Sequence, residues 1–137
     1  MRTIALISCG KSKRRERSPA HQLYTGALFK KCLTYAQRTK ADEIYILSAN
    51  YGLIELTQEI APYEKTLNHM PSGEIARWAE AVLEQLRART NLTTDRFIIL
   101  AGAAYCSRLI PHLTNVELPL VGLRFGEQLK FLKSANS

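Results

Sequence analysis

The sequence predicts an α/β protein built on a parallel sheet, and three observations carry that expectation. Apolar runs rich in β-prone residues recur at Thr3-Ile4-Ala5-Leu6-Ile7, Glu43-Ile44-Tyr45-Ile46-Leu47, Arg96-Phe97-Ile98-Ile99-Leu100-Ala101 and Val116-Glu117-Leu118-Pro119-Leu120. Segments of helical periodicity separate them. The first three runs open directly into small, polar exits that each contain a glycine: Ser8-Cys9-Gly10, Ser48 to Gly52, and Gly102-Ala103-Ala104. Strands alternating with helices imply right-handed crossovers and a three-layer α/β/α domain. Its four parallel strands are expected near residues 3–8, 43–48, 96–101 and 116–121.

The first strand empties into Ser8-Cys9-Gly10-Lys11-Ser12-Lys13, where Gly10 permits a turn, two serines offer hydroxyls and two lysines supply charge. Successive backbone N–H groups in such a turn form an anion-binding nest. The spacing is neither G-x-x-x-x-G-K-[ST] nor G-x-G-x-x-G, which argues against P-loop or dinucleotide-fold chemistry. A first crossover helix follows, with Thr25 placed as its cap and Leu28, Phe29, Cys32, Leu33 and Ala36 on one face. The second strand ends in Ser48-Ala49-Asn50-Tyr51-Gly52-Leu53. Residues 54–67, interrupted by Pro62, read as a long loop with room for a short extended piece, and long loops are frequent carriers of function.

Pro71-Ser72-Gly73 introduces an amphipathic helix with Ile75, Trp78, Ala79, Val82, Leu83 and Leu86 inward and Glu74, Arg77, Glu80, Glu84 and Arg87 outward, so Trp78 is assigned to the core. The third strand closes on Gly102-Ala103-Ala104-Tyr105 and a short helix through Ile110, ended by Pro111. Pro119 demotes the fourth strand to an edge. Residues 122–133 form the last helix, with Phe125, Leu129 and Leu132 expected to be buried.

A chain of 137 residues, 46% hydrophobic and 23% charged, suits one domain spanning residues 1–137. It carries neither an apolar run able to span a bilayer nor a signal-peptide pattern, which predicts a cytoplasmic protein without membrane attachment. Cys9, Cys32 and Cys106 lack C-x-x-C spacing, so they are expected as free thiols, with no metal and no cofactor. A net charge of +7 favours polyanionic partners. The charge is concentrated at Lys11, Lys13, Arg14, Arg15 and Arg17, beside the expected site.

The set Ser8-Cys9-x-Lys11-x-Lys13, Leu23-Tyr24-x-Gly26-x-x-Phe29, Ser48-Ala49-x-Tyr51-Gly52-Leu53, Pro62-Tyr63-x-x-Thr66-Leu67 and Gly126-Glu127-Gln128-Leu129 resembles an uncharacterised bacterial and phage family with an S-C-x-K-x-K opening. Residues 47–63 are similar to the L-S-x-x-Y-G-L-L…P-Y segment of YaaA-like peroxide-stress proteins, which bind DNA. The opening is similar to a loop in a domain of archaeosine synthase-type tRNA enzymes. These resemblances imply a uracil-DNA-glycosylase-like fold with sheet order 2-1-3-4. The chain departs from them by lacking a helix-hairpin-helix insert and the acidic water-activating loop of a true uracil glycosylase.

Glycosidic-bond cleavage needs a pocket for the base, a cation near the leaving group or phosphates, and a carboxylate or activated water. Cys9, Lys11 and Glu64 are the candidate catalytic residues. Ser8, Lys13, Tyr24, Ser48, Tyr51, Gly52, Tyr63, Gly102 and Tyr105 are the candidate binding residues, Tyr51 and Tyr63 as stacking surfaces. Ser8, Cys9, Lys11, Ser48, Tyr51, Gly52, Gly102 and Tyr105 are expected to converge in one pocket, because parallel strands present their carboxyl ends along one edge. The expected ligand is DNA, RNA or a phosphorylated nucleoside. Two functions follow: an N-glycosidase or nucleotide-processing enzyme of nucleic-acid modification or repair, or a non-catalytic nucleic-acid-binding module of a stress, modification or defence system.

Overall fold

The computed structural model describes residues 1–137 in full. Its central sheet runs through β1 (Thr3–Ser8), β3 (Glu43–Ser48), β4 (Gly52–Glu55), β6 (Arg96–Leu100) and β7 (Asn115–Glu117) in the spatial order β4-β3-β1-β6-β7. β3, β1, β6 and β7 are mutually parallel, and β4 joins the β3 edge antiparallel. The expected four-stranded sheet is therefore corrected to a five-stranded mixed one, in which the four parallel strands keep the order 2-1-3-4 and β4 adds an antiparallel edge. The reason is a hairpin: Gly52 has φ of +75°, the left-handed value that turns the chain back on β3. Two further short strands, β2 (Ser18–Pro19) and β5 (Glu59–Ile60), pair antiparallel outside the main sheet, so residues 54–67 are more ordered than a bare loop.

Alternation along β1 divides the core between two faces. Ile4 and Leu6 pack with the long helix α3 (Ser72–Arg89) through Val82, Leu83 and Leu86. Ala5 and Ile7 pack with α2 (Ala27–Arg38) and α5 (Phe125–Ala135) through Phe29, Cys32, Ala36 and Leu132. Two one-turn helices, α1 (Ala20–Leu23) and α4 (Ala103–Cys106), and 3-10 turns at 67–69 and 110–112 complete the chain. Helices thus cover both faces, as the alternating pattern implies. No helix is long and apolar enough to cross a membrane.

Several local expectations are corrected. Gly26, not Thr25, caps α2, because Thr25 is held back by its N–H to the Ser12 carbonyl at 2.9 Å. The fourth strand stops at Glu117, since Pro119 has no N–H to offer and Leu118 to Val121 turns instead. Pro111 lies inside a 3-10 turn rather than ending a helix, and α4 stops at Cys106. Phe125, expected in the core, is 63% exposed at the start of α5.

Candidate functional site

The strand register brings the three exits together. Ser8 pairs with Leu47 and Ile7 with Leu100, so Cys9, Ser48 and Ala101 emerge side by side at the carboxyl edge. The Cys9 N–H donates to the Leu47 carbonyl at 3.0 Å and continues the ladder one residue past β1. Beyond it lie two environments, an open cleft and a buried polar cluster, with Cys9 in the wall between them.

The cleft has a volume of about 510 Å³, within the range of small-ligand sites. Ser8 to Ser12 form one wall and the start of α2, Gly26 to Leu28, the opposite one. Phe29, Cys32, Leu100 and Leu120 supply an apolar floor, while Asn68, Gly102, Phe125 and Gln128 complete the rim. The loop holds this shape because it is laced to the segment before α2. Lys13 bridges to Tyr24, and the Arg14 N–H donates to the Leu23 carbonyl at 2.8 Å.

Electrostatically the cleft favours anions. No side chain caps α2 and its first turn holds no acidic residue, so the first-turn amides and the positive end of the helix dipole meet the cleft. None of the lining residues is acidic, and Lys11 adds an ammonium.

The buried cluster is centred on Tyr63. Its hydroxyl accepts from Ser48 Oγ at 2.8 Å and shares a 2.7 Å hydrogen bond with the Tyr24 hydroxyl. Ser48 Oγ in turn accepts from the N–H groups of Asn50 and Tyr51 at 3.2 and 3.0 Å, fixing the second strand exit. The Ser48 carbonyl accepts from Trp78 Nε1 at 2.8 Å, and Trp78 packs edge-to-face on Tyr105. The Tyr105 hydroxyl lies 3.5 Å from Cys9 Sγ. Lys13 Nζ sits 4.4 Å from the Tyr63 ring centroid, a cation held on an aromatic face.

Titration follows from these contacts. Burial pushes the Tyr24 phenol up to about 12, against the opposing effect of its bond to Tyr63. Burial also raises Tyr63 and Tyr105, and negative charge at Cys9 raises both further. All three phenols thus stay protonated near neutrality and remain donors. Burial lowers the Lys13 ammonium, while negative charge at Cys9 and Glu64 draws it back up. Cys9 Sγ therefore has a phenol hydroxyl in contact and the Lys13 cation nearby, and it reaches the cleft.

The predicted site residues divide accordingly. Ser8, Cys9, Lys11 and Gly102 line the cleft. Ser48, Tyr24, Tyr63 and Tyr105 form the cluster beneath it, so the expected single pocket is corrected to two adjoining compartments. Tyr51 is not a stacking surface in the cleft: its hydroxyl donates to the Ala61 carbonyl at 3.1 Å and its ring abuts Tyr63. Tyr63 is likewise committed to packing. Gly52 lies outside the cleft, where a Cβ would come within 2.7 Å of Gln85 Oε1. Lys13 covers the tyrosines, and Glu64 is exposed on the loop outside the lining residues.

Sequence reasoning missed Phe125, Gln128, Asn68 and the start of α2 as parts of the cleft wall. The signal for the first two was present in Gly126-Glu127-Gln128, a polar, glycine-containing helix start like the strand exits. Nothing local marked Asn68.

Among known proteins, a family described as a family of unknown function matches residues 4–134, nearly the whole chain. No curated protein and no solved structure matches it significantly.

Proposed function

The chain belongs to that family, DUF6884, and from the site alone we propose that it binds nucleic acid or a nucleotide and acts on the base or glycosidic bond of the unit held in the cleft. The observation that carries this reading is the composition of the cleft. Its lining offers Lys11 and the uncapped start of α2 to a phosphate and an apolar floor to a planar base. Cys9 also lines the cleft and is the reactive group in this reading.

Calorimetric titration with a nucleoside and with its 5′-monophosphate tests the reading. The monophosphate is expected to bind at least about ten-fold more tightly, since charge-assisted hydrogen bonds to the phosphate add about 1.5–3 kcal/mol each. Lys11→Ala should erase most of that difference. Equal affinity for the two compounds, or no binding of either, would overturn it.

A second reading rests on Arg14, Arg15 and Arg17, which are exposed outside the cleft and suit a non-catalytic nucleic-acid-binding module. Cys9→Ser separates the two. Base release from nucleic acid, followed by chromatography, is lost with binding retained if the chain is an enzyme; no base is released by either protein if it is a binding module.

A further inference from the structure

A nucleotide can reach such a cleft free, within a duplex or within a single strand. Resting on the proposed function, we infer that the cleft takes one nucleotide of a single-stranded nucleic acid, its base stacked on Phe125 and its neighbouring phosphates on Arg14, Arg15 and Arg17.

Phe125 is the first consideration. It begins α5 at the rim of the cleft, is 63% exposed, and has no aromatic ring packed against it, whereas Tyr24, Tyr35, Tyr51, Tyr63 and Trp78 each meet another ring. An aromatic side chain kept in water beside a cleft with an apolar floor presents a face that a base can cover. Gln128, one turn further along α5, also lines the cleft; its Nε2 donates to the Leu123 carbonyl at 3.1 Å, which fixes the amide and leaves Oε1 to accept from a base edge.

Charge supplies the second consideration, and it argues for a polymer. Lys11 and Ser12 lie in the cleft, but the basic run continues through Arg14, Arg15 and Arg17, all exposed and all outside it. Arg14, Arg15 and Arg17 are three further cations on one exposed stretch outside the cleft, more than the single phosphate of a mononucleotide can engage. The only acidic partner in contact with these arginines is Glu59, 3.8 Å from Arg17 and itself exposed, so the run is largely free to meet phosphates. A duplex fits less well. Its bases are stacked on both faces, so exposing one to Phe125 carries the cost of unstacking and unpairing, which a single strand avoids.

Fluorescence anisotropy with a labelled oligothymidylate of about a dozen nucleotides tests the inference, with its duplex with oligoadenylate and thymidine 5′-monophosphate as competitors. The single strand is expected to bind at least about ten-fold more tightly than either competitor. Phe125→Ala should weaken it about ten-fold without changing the salt dependence, and Phe125→Trp should retain affinity. Replacing Arg14, Arg15 and Arg17 with Ala should lower the log–log salt slope by about 2, at roughly 0.7 for each single-strand phosphate contact. Circular dichroism confirms folding of each variant.

If the monophosphate competes as well as the strand and the arginine variant binds normally, the inference fails while the nucleotide reading stands. Equal binding of the duplex also overturns it. So does an unchanged affinity in Phe125→Ala, and a shift in sedimentation of that variant would then assign the ring to a protein contact. If none of the three ligands binds, the proposed function itself fails.

Discussion

Tyr63 shows how one side chain can tie the candidate site to the fold. Its hydroxyl meets Ser48 and Tyr24, its ring abuts Tyr51, and Lys13 lies over its face, so the second strand exit, the basic loop and the 61–66 segment are joined at one phenol. The same burial gives a pH signature. The raised Tyr24, Tyr63 and Tyr105 phenols favour the protonated form when folded, so the stability they contribute is fully present below the unfolded tyrosine value of about 10. It is lost as pH rises above that value. In a spectrophotometric alkaline titration, three of the six tyrosines are therefore expected to resist ionisation until the protein unfolds. A native curve in which all six ionise together near pH 10, matching the denatured chain, would contradict this.

At the scale of elements, the β3–β4 hairpin sets the edge of the sheet and was the least legible part of it. Gly52-Leu53-Ile54-Glu55 is too short for a periodicity argument, and its strand conformation comes from non-local pairing with Tyr45 to Ser48. Gln85 of α3 secures it, its Oε1 accepting from the Leu53 N–H at 2.9 Å. Gly52→Ala forces a left-handed φ on a residue with a Cβ and drives that atom to 2.7 Å from Gln85 Oε1. We expect a loss of stability of roughly 1–2 kcal/mol or more, read from the chemical-denaturation midpoint. An unchanged midpoint would show that the hairpin does not depend on that turn. The helix faces of α2 and α3, by contrast, were legible because a 3.6-residue period spans several turns and averages out single errors. That logic fails at a helix end: Phe125 shares a periodic face with Leu132 but starts the helix, at the cleft rim, where the core no longer covers it.

At the scale of the whole molecule, legibility follows the range of the interaction. Ser8, Cys9, Lys11 and Gly102 could be placed at one edge because strand ends in a parallel sheet are adjacent by topology alone. The split between cleft and tyrosine cluster could not, since it depends on residues 61–66 folding back over Ser48 and on the start of α5 meeting the β1 exit. The resulting asymmetry is the basis of the functional account: an anion-attracting, partly apolar cleft, backed by a protonated phenol cluster that contacts Cys9. A crystal structure of the protein grown with a short single-stranded oligonucleotide tests this most directly. The account predicts a phosphate within hydrogen-bond distance of the Gly10 to Ser12 segment or the first-turn amides of α2, with a base between Phe125 and the apolar floor. Phosphates bound only along Arg14 to Arg17, with the cleft filled by solvent, would contradict it.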